Sequence, residues 1–478
     1  MKLKQKVMSG LAWSVAGRFI AQAITWAITV VIIRILSPED YGLLALATVF
    51  IGLLSLINEM GMGAGIVQRK DVDVPILKSL FSLIIFFSLV FYLFLYLLAP
   101  FIAGYFSEPR LVLLIKVLGL EFLINGFSVI PRSLLIREMK FRQIAIVEFA
   151  SNVTGSVVTL VLALLGYGVW ALVFGMLSIR VVATIGFTLS QPFIHMPSKS
   201  MQGMRAFFAI GGYVTFSRIL WYLYSRADIL IVGKVFGKEI LGFYSVGLML
   251  AQLPMDKIAG IVNQVAFSAY SSIQNDLELA GKYFLKSVRV ISFLAFPVLW
   301  GISSISDMLV DVALGSQWAE ASTPLKIIAL IVPLRLISTF FSPLLVGLGR
   351  PDISLRNILT LSFVMPLSFF IGTYWGILGV CLAWVFAFPC AFLFNVMRLV
   401  KVLKIKISSV IFQIYAPALC SFLMYMIVKL SEWHIFKFEF HSYNLICMII
   451  IGIISYSIFS LIFLKKHFYE IMGLLKNK

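Results

Sequence analysis

Runs of about twenty apolar residues, broken by single charges, prolines and glycines, recur along the whole chain. Hydrocarbon offers backbone N–H and C=O groups no partner, so such a chain folds as helices that close their own hydrogen bonds across a bilayer core roughly 30 Å thick. The composition agrees, with 61% apolar and only 13% charged residues, where soluble domains carry about 25% charge. A soluble globular enzyme is excluded. The 39 Lys and Arg against 21 Asp and Glu give a net charge of +18. No soluble stretch is long enough to gather that charge on one folded face, so no nucleic-acid partner is expected.

Cutting the chain at these interruptions predicts an all-α integral membrane protein of about fourteen helices. Their centres fall near Ala23, Phe50, Ser88, Leu120, Val157, Leu177, Trp221, Leu250, Leu294, Val332, Val364, Phe386, Cys420 and Ile453. The longest loops are expected near Asn58 to Lys78, Ala266 to Lys286 and Asp307 to Thr323. The first run follows Lys2, Lys4 and Lys6 and lacks a small-residue cleavage site, which reads as a retained span. Placing the N-terminus in the cytoplasm puts basic clusters such as Arg132, Arg137, Lys140 and Arg142, or Arg398, Lys401, Lys404 and Lys406, on the inner side. Loops rich in Lys and Arg stay inside, so a multi-pass membrane protein with both termini cytoplasmic is expected.

The chain also repeats itself. At a shift of 200 residues Arg34-Ile-Leu-Ser-Pro-Glu39-Asp-Tyr-Gly42 lies over Lys234-Val-Phe-Gly-Lys-Glu239-Ile-Leu-Gly242 without a gap, and Arg18 lies over Arg218. A second, weaker match, at a shift of 208 residues, puts Tyr167-Gly168 over Trp375-Gly376. Two six-helix halves are implied, and because six helices intervene the repeat is parallel, about an axis along the membrane normal. The expected layout is an N-terminal lobe at 1–194, a cytoplasmic linker at 195–206, a C-terminal lobe at 207–406, and two further helices with a tail at 407–478.

A charge at mid-membrane is costly unless it faces water or a partner, so intramembrane ionisable residues mark candidate sites. At about 100° per residue, Ser14, Arg18, Gln22, Thr25 and Thr29 share one arc of the first helix, and Thr215, Arg218, Tyr222, Ser225 and Arg226 repeat the stripe in the seventh. Two arginine-centred stripes predict a hydrated cationic cavity suited to an anionic, phosphorylated headgroup; the competing reading is that the arginines only neutralise carboxylates and lock the bundle. Candidate substrate-binding residues are Arg18, Arg218, Arg226, Gln22, Thr25, Tyr222 and Ser225. Asp228 and Glu121 are candidates for coupling to a proton or cation, while Lys116, Glu121, Arg180, Lys326 and Arg335 fall within spans and either line the cavity or, as is favoured for most of them, form structural pairs. Trp221, Tyr222 and Tyr224 are placed to stack on sugar rings or to anchor at the interface. Cys381, Cys390, Cys420 and Cys447 lie in apolar runs, and the four histidines lack metal-ligand spacing, so no disulfide, metal or cofactor is expected. No Walker A pattern and no nucleophile–base pair is seen, and catalysis is not expected.

The string Arg34 to Gly42, the segment Glu59-Met-Gly-Met-Gly-Ala-Gly-Ile-Val-Gln68 and the stretch Arg226-Ala-Asp228-Ile-Leu-Ile-Val-Gly233-Lys-Val-Phe-Gly237 resemble polysaccharide-unit flippases of the Wzx type. These belong to the multidrug/oligosaccharidyl-lipid/polysaccharide exporter superfamily, and the likeness is to its exopolysaccharide and colanic-acid branch. The resemblance implies a MATE-like fold and translocation of an undecaprenyl-pyrophosphate-linked oligosaccharide to the periplasmic leaflet by alternating access. Membrane lipids and a polysaccharide polymerase with its chain-length machinery are the implied partners, and the last two helices are implied to form a groove for the lipid tail. A peptidoglycan-precursor flippase or a cation-coupled drug exporter shares the fold. A membrane-embedded glycan polymerase or ligase is the rival from another class, and it would need a longer external segment than any loop here supplies.

Overall fold

The structure is a computed structural model that describes residues 25–58, 66–67, 73–193, 205–273, 276–434 and 441–464. All regular structure among these residues is helical. Helix α1 covers Thr25–Ile35, followed by α2 (Pro38–Asn58), α3 (Val74–Phe106), α4 (Arg110–Leu118), α5 (Leu120–Arg137), α6 (Phe141–Leu164) and α7 (Val169–Ser190). Helix α8 (Arg205–Ser272) is broken at Gly237, whose φ of 80° leaves the helical region. Then come α9 (Leu277–Ser304), α10 (Ser306–Leu314), α11 (Ser322–Ser338), α12 (Phe341–Gly347), α13 (Pro351–Gly372), α14 (Gly376–Leu403), α15 (Ile407–His434) and α16 (His441–Phe463). Ten stretches among the described residues are long and apolar enough to cross a membrane.

Every predicted span centre except Ala23, which lies outside the described residues, falls within a helix. Two expected loops are shorter than predicted. Helix runs through Ala266 to Ser272 and resumes at Leu277, and Asp307 to Thr323 folds into α10, a 3₁₀ turn at Ser316–Ala321 and the start of α11. Prolines also interrupt less than they suggest, for Pro100, Pro131, Pro297, Pro333, Pro366, Pro389 and Pro417 all sit inside helices. Packed neighbours and local adjustment re-satisfy the freed carbonyls of a membrane helix, so proline there costs less than in water.

Two compact units emerge: Met1–Tyr222 with Gly237–Gly242, and Leu223–Phe236 with Phe243–Lys478. In the first, α7 packs along both α6 and α5, while α3 packs on α4 and α5. Ile66, Leu77, Leu80, Phe81, Ile84, Ile130 and Phe193 form one of its cores. In the second, α9 packs on α11 and α15, α13 on α14, and α15 on α16. There Phe293, Met424, Val428, Met448 and Tyr456 share a core, and the Tyr456 hydroxyl donates to the Phe293 carbonyl at 2.8 Å.

The repeat strings meet within the first unit. A capping box opens α2: Asp40 N–H points at the Ser37 hydroxyl at 3.3 Å, and the Asp40 carboxylate accepts from Ser37 N–H at 3.1 Å and from its hydroxyl at 2.8 Å. The other Asp40 oxygen takes the N–H of Val169, the first residue of α7, at 2.9 Å. Gly168 just before it has φ of 55°, and its repeat partner Gly376 has φ of 69°. The first turn of α2 lies backbone to backbone on Lys238–Gly242. A side-chain carbon at Gly42 would collide with the Lys238 carbonyl, and one at Gly242 with the Pro38 carbonyl. Around this crossing Lys238 pairs with Glu108 at 2.9 Å and Glu39 at 3.4 Å, and Arg110 reaches the same two carboxylates at 3.4 Å.

Gly42→Ala or Gly242→Ala should therefore destabilise the detergent-solubilised protein by about 1–3 kcal/mol, the usual cost of overpacking. Gly104→Ala, at a position with open space, should be neutral. Thermal unfolding followed by size-exclusion fluorescence checks this, and equal behaviour of the three variants would show that the crossing can give way.

Candidate functional site

Arg18 and Gln22 lie outside the described residues. Of the first stripe, Thr25 is half-buried and its carbonyl accepts from the Thr29 hydroxyl at 2.8 Å. Of the second, Arg218 is exposed, and Ser225 and Arg226 are half-buried. Tyr222 is tied down: its hydroxyl donates to the carbonyls of Val49 at 3.0 Å and Thr48 at 3.3 Å, over Gly52, where any side chain would meet the phenol. Trp221 is exposed and Tyr224 buried.

Asp228 has no exposed surface. The Tyr244 hydroxyl donates to its Oδ2 at 2.6 Å, and the Trp384 indole N–H lies 3.2 Å from the same oxygen and 3.0 Å from the Tyr244 oxygen. Its Oδ1 accepts from Ile229 N–H at 2.8 Å. The Arg335 guanidinium stacks on the Trp384 ring at 4.0 Å, and among the described residues its Nη1 has no hydrogen-bond partner. A buried carboxylate holding neutral donors, beside a stacked cation with unused hydrogen-bonding capacity, is an unusually polar knot for a membrane helix pair. The sequence pointed to Asp228 and noted Arg335. It did not point to Tyr244 or Trp384, because neither shares a helical face with Asp228: Tyr244 follows the break at Gly237, and Trp384 comes from α14.

Glu121, the second coupling candidate, is buried on α5. Its Oε2 lies 3.6 Å from Arg180 Nε on α7, and its Oε1 is 3.4 Å from the Ser55 hydroxyl of α2. Glu121 is 8% exposed and Arg180 48%. The expected pairing of Arg180 is therefore present, with Nε as its nearest nitrogen. Lys116 stacks over the Tyr96 ring at 3.9 Å, and Lys326 pairs with Asp307 at 3.3 Å.

Removing the hydroxyl in Tyr244→Phe should cost about 2 kcal/mol of stability, because the buried Asp228 carboxylate loses a charge-assisted hydrogen bond. Asp228→Asn combined with Tyr244→Phe should cost less than the sum of the two single changes. A double-mutant cycle on thermal unfolding measures this; strict additivity would show that the two groups do not stabilise one another.

Residues 31–323 match the polysaccharide biosynthesis protein family. The chain is 26% identical over 388 residues to the lipopolysaccharide biosynthesis protein WzxC of Escherichia coli K12, covering 80% of this chain and 78% of that one. It is 25% identical over 457 residues to the teichuronic acid biosynthesis protein TuaB of Bacillus subtilis 168, with 90% and 91% covered. The fold resembles a solved structure of the lipid II flippase MurJ in an inward closed conformation, with a TM-score of 0.74 and 17% identity over 94% of this chain and 98% of that one. The fold is thus shared with that structure, and the chain belongs to the polysaccharide biosynthesis protein family.

Proposed function

We propose that the protein is a flippase that moves an undecaprenyl-pyrophosphate-linked oligosaccharide repeat unit from the cytoplasmic to the periplasmic leaflet of a bacterial inner membrane, for surface polysaccharide assembly. It is a transporter and performs no covalent chemistry. The pyrophosphate and sugars cannot cross hydrocarbon, since an unpaired ion there costs tens of kcal/mol by ideal continuum reckoning, while the prenyl tail can stay in lipid throughout. A hydrated path carrying cations removes that barrier, and alternating access keeps it from leaking. The observation that carries the reading is the set of ionisable groups placed within apolar helices, with Arg218 and Arg180 exposed and the carboxylates Glu121 and Asp228 buried.

In this reading the two six-helix lobes at 1–194 and 207–406 rock about a cavity lined by Arg18, Gln22, Thr25, Arg218, Tyr222, Ser225 and Arg226, with both chain termini in the cytoplasm. Asp228 and Glu121 are the carboxylates through which a proton or cation gradient would act. A polymerase with its chain-length machinery takes up the product. The relatives named for lipopolysaccharide and teichuronic acid biosynthesis support a glycan cargo. The exposed cations support an anionic substrate over the cationic drugs that acidic cavities attract.

Deleting the gene in its host should leave the lipid-linked repeat unit in the inner leaflet and abolish the surface polymer. Complementation with Arg218→Ala or Arg18→Ala should restore insertion but less than a tenth of the polymer, a tenfold loss matching one charge-assisted contact. Lipid extraction and glycan immunoblotting read both. Unchanged surface polysaccharide in the deletion strain would overturn the function, and full complementation by both variants would overturn the role of the stripes.

A further inference from the structure

Arg180 lies at the twelfth of the 22 positions of α7, so about 15 Å of helix extends to either side and the residue sits near the bilayer midplane. The exposed apolar residues of that helix, Phe174, Val181, Ile185 and Leu189, lie between about 100° and 180° around its axis from Arg180. They form the lipid-facing stripe. On the Arg180 side the neighbours one and two turns away are covered by protein: Val173 and Phe187 are buried, and the half-buried Thr184 donates its hydroxyl to the Ile124 carbonyl of α5 at 3.2 Å. Between them the Arg180 side chain remains 48% exposed. Exposure on a protein-packed face at mid-membrane means water, because a guanidinium half open to hydrocarbon would be expelled or fully paired. Nε is the nitrogen nearest Glu121, and among the described residues the two terminal nitrogens make no hydrogen bond.

We propose that Arg180 is a docking residue for the substrate's phosphoryl oxygens, offering its two terminal nitrogens side by side while Glu121 is its counter-ion when no substrate is bound. This rests on the flippase reading and adds to the predicted stripes a contact on α7 that lies outside both of them. The fork of a guanidinium matches two oxygens of one phosphoryl group, a geometry that lysine does not reproduce. Glu121 lies on the Nε edge, away from the outward-facing nitrogens, and its burial lets the cation persist in the empty protein without a mobile anion.

The test uses the full-length protein in detergent and in proteoliposomes, with undecaprenyl pyrophosphate as probe and undecaprenol, which has no phosphate, as control. Arg180→Ala should weaken binding of undecaprenyl pyrophosphate at least tenfold and leave undecaprenol binding unchanged; Arg180→Gln, which keeps most of the volume, should do the same if the alanine variant fails to fold. Arg180→Cys, in a chain whose four native cysteines are replaced by serine, should react with a membrane-impermeant thiol reagent supplied on both faces, and the probe should protect it. Phe174→Cys in the same background should stay unlabelled. If the wild type binds undecaprenyl pyrophosphate and both uncharged variants bind it equally well, Arg180 is not a docking residue and the flippase reading stands. An unlabelled Arg180→Cys overturns the proposal on its own. If the wild type shows no preference for the pyrophosphate over undecaprenol, the substrate reading itself fails and this inference goes with it.

Discussion

A bilayer solvates methyl groups and nothing else, and each structural feature of this chain answers to that constraint. It forces the backbone into helices whose hydrogen bonds close internally. It also divides intramembrane charge into two permitted kinds: charge that is buried with donors or a counter-ion, and charge that faces water held inside the protein. Asp228 is of the first kind, with Tyr244, Trp384 and the Ile229 amide filling its oxygens. Arg180 is of both kinds at once, paired on one edge and open on the other.

Much of the fold was legible because the same constraint writes a strong signal. Period and composition located the helices, since a run of some twenty apolar residues has few other fates. The gapless match of Arg34–Gly42 to Lys234–Gly242 singled out the segments that pack together in the first unit, where Gly42 and Gly242 each allow the other strand of backbone to approach. Loop boundaries were less legible. Proline was read as an interruption, yet Pro100, Pro131, Pro297, Pro333, Pro366, Pro389 and Pro417 lie within helices, because in lipid a missing hydrogen bond is repaired by neighbours that the sequence does not reveal. The break that does occur within a long helix is at Gly237, a glycine whose repeat partner is Ser37, the residue that caps α2.

The candidate site was legible only where its residues share one helix. The stripe through Arg218, Tyr222, Ser225 and Arg226 follows from the helical period, and so does the suspicion attached to a lone Asp228 or Glu121. Which groups answer them does not follow, because Tyr244 reaches Asp228's neighbourhood from beyond the break at Gly237 and Trp384 and Arg335 from other helices, and the choice is made by tertiary packing. Tyr222 carries the converse lesson. Its position in the stripe suggested a surface for sugar rings, whereas its hydroxyl is spent on the α2 carbonyls of Thr48 and Val49, an acceptor pair that Gly52 leaves open. That hydroxyl ties α8 to α2 within the first unit, which leaves the ring of Tyr222 for the proposed cavity lining.

The two carboxylates differ in what they can do when a proton or cation arrives. Asp228 is held by neutral donors, so protonating it disturbs one hydrogen-bonded knot on the second unit, and the readjustment falls on Tyr244 and Trp384, which bridge α8 and α14. Glu121 is held by a cation, and it is the counter-ion of Arg180. The chain places the two carboxylates in different units, each on its own set of helices.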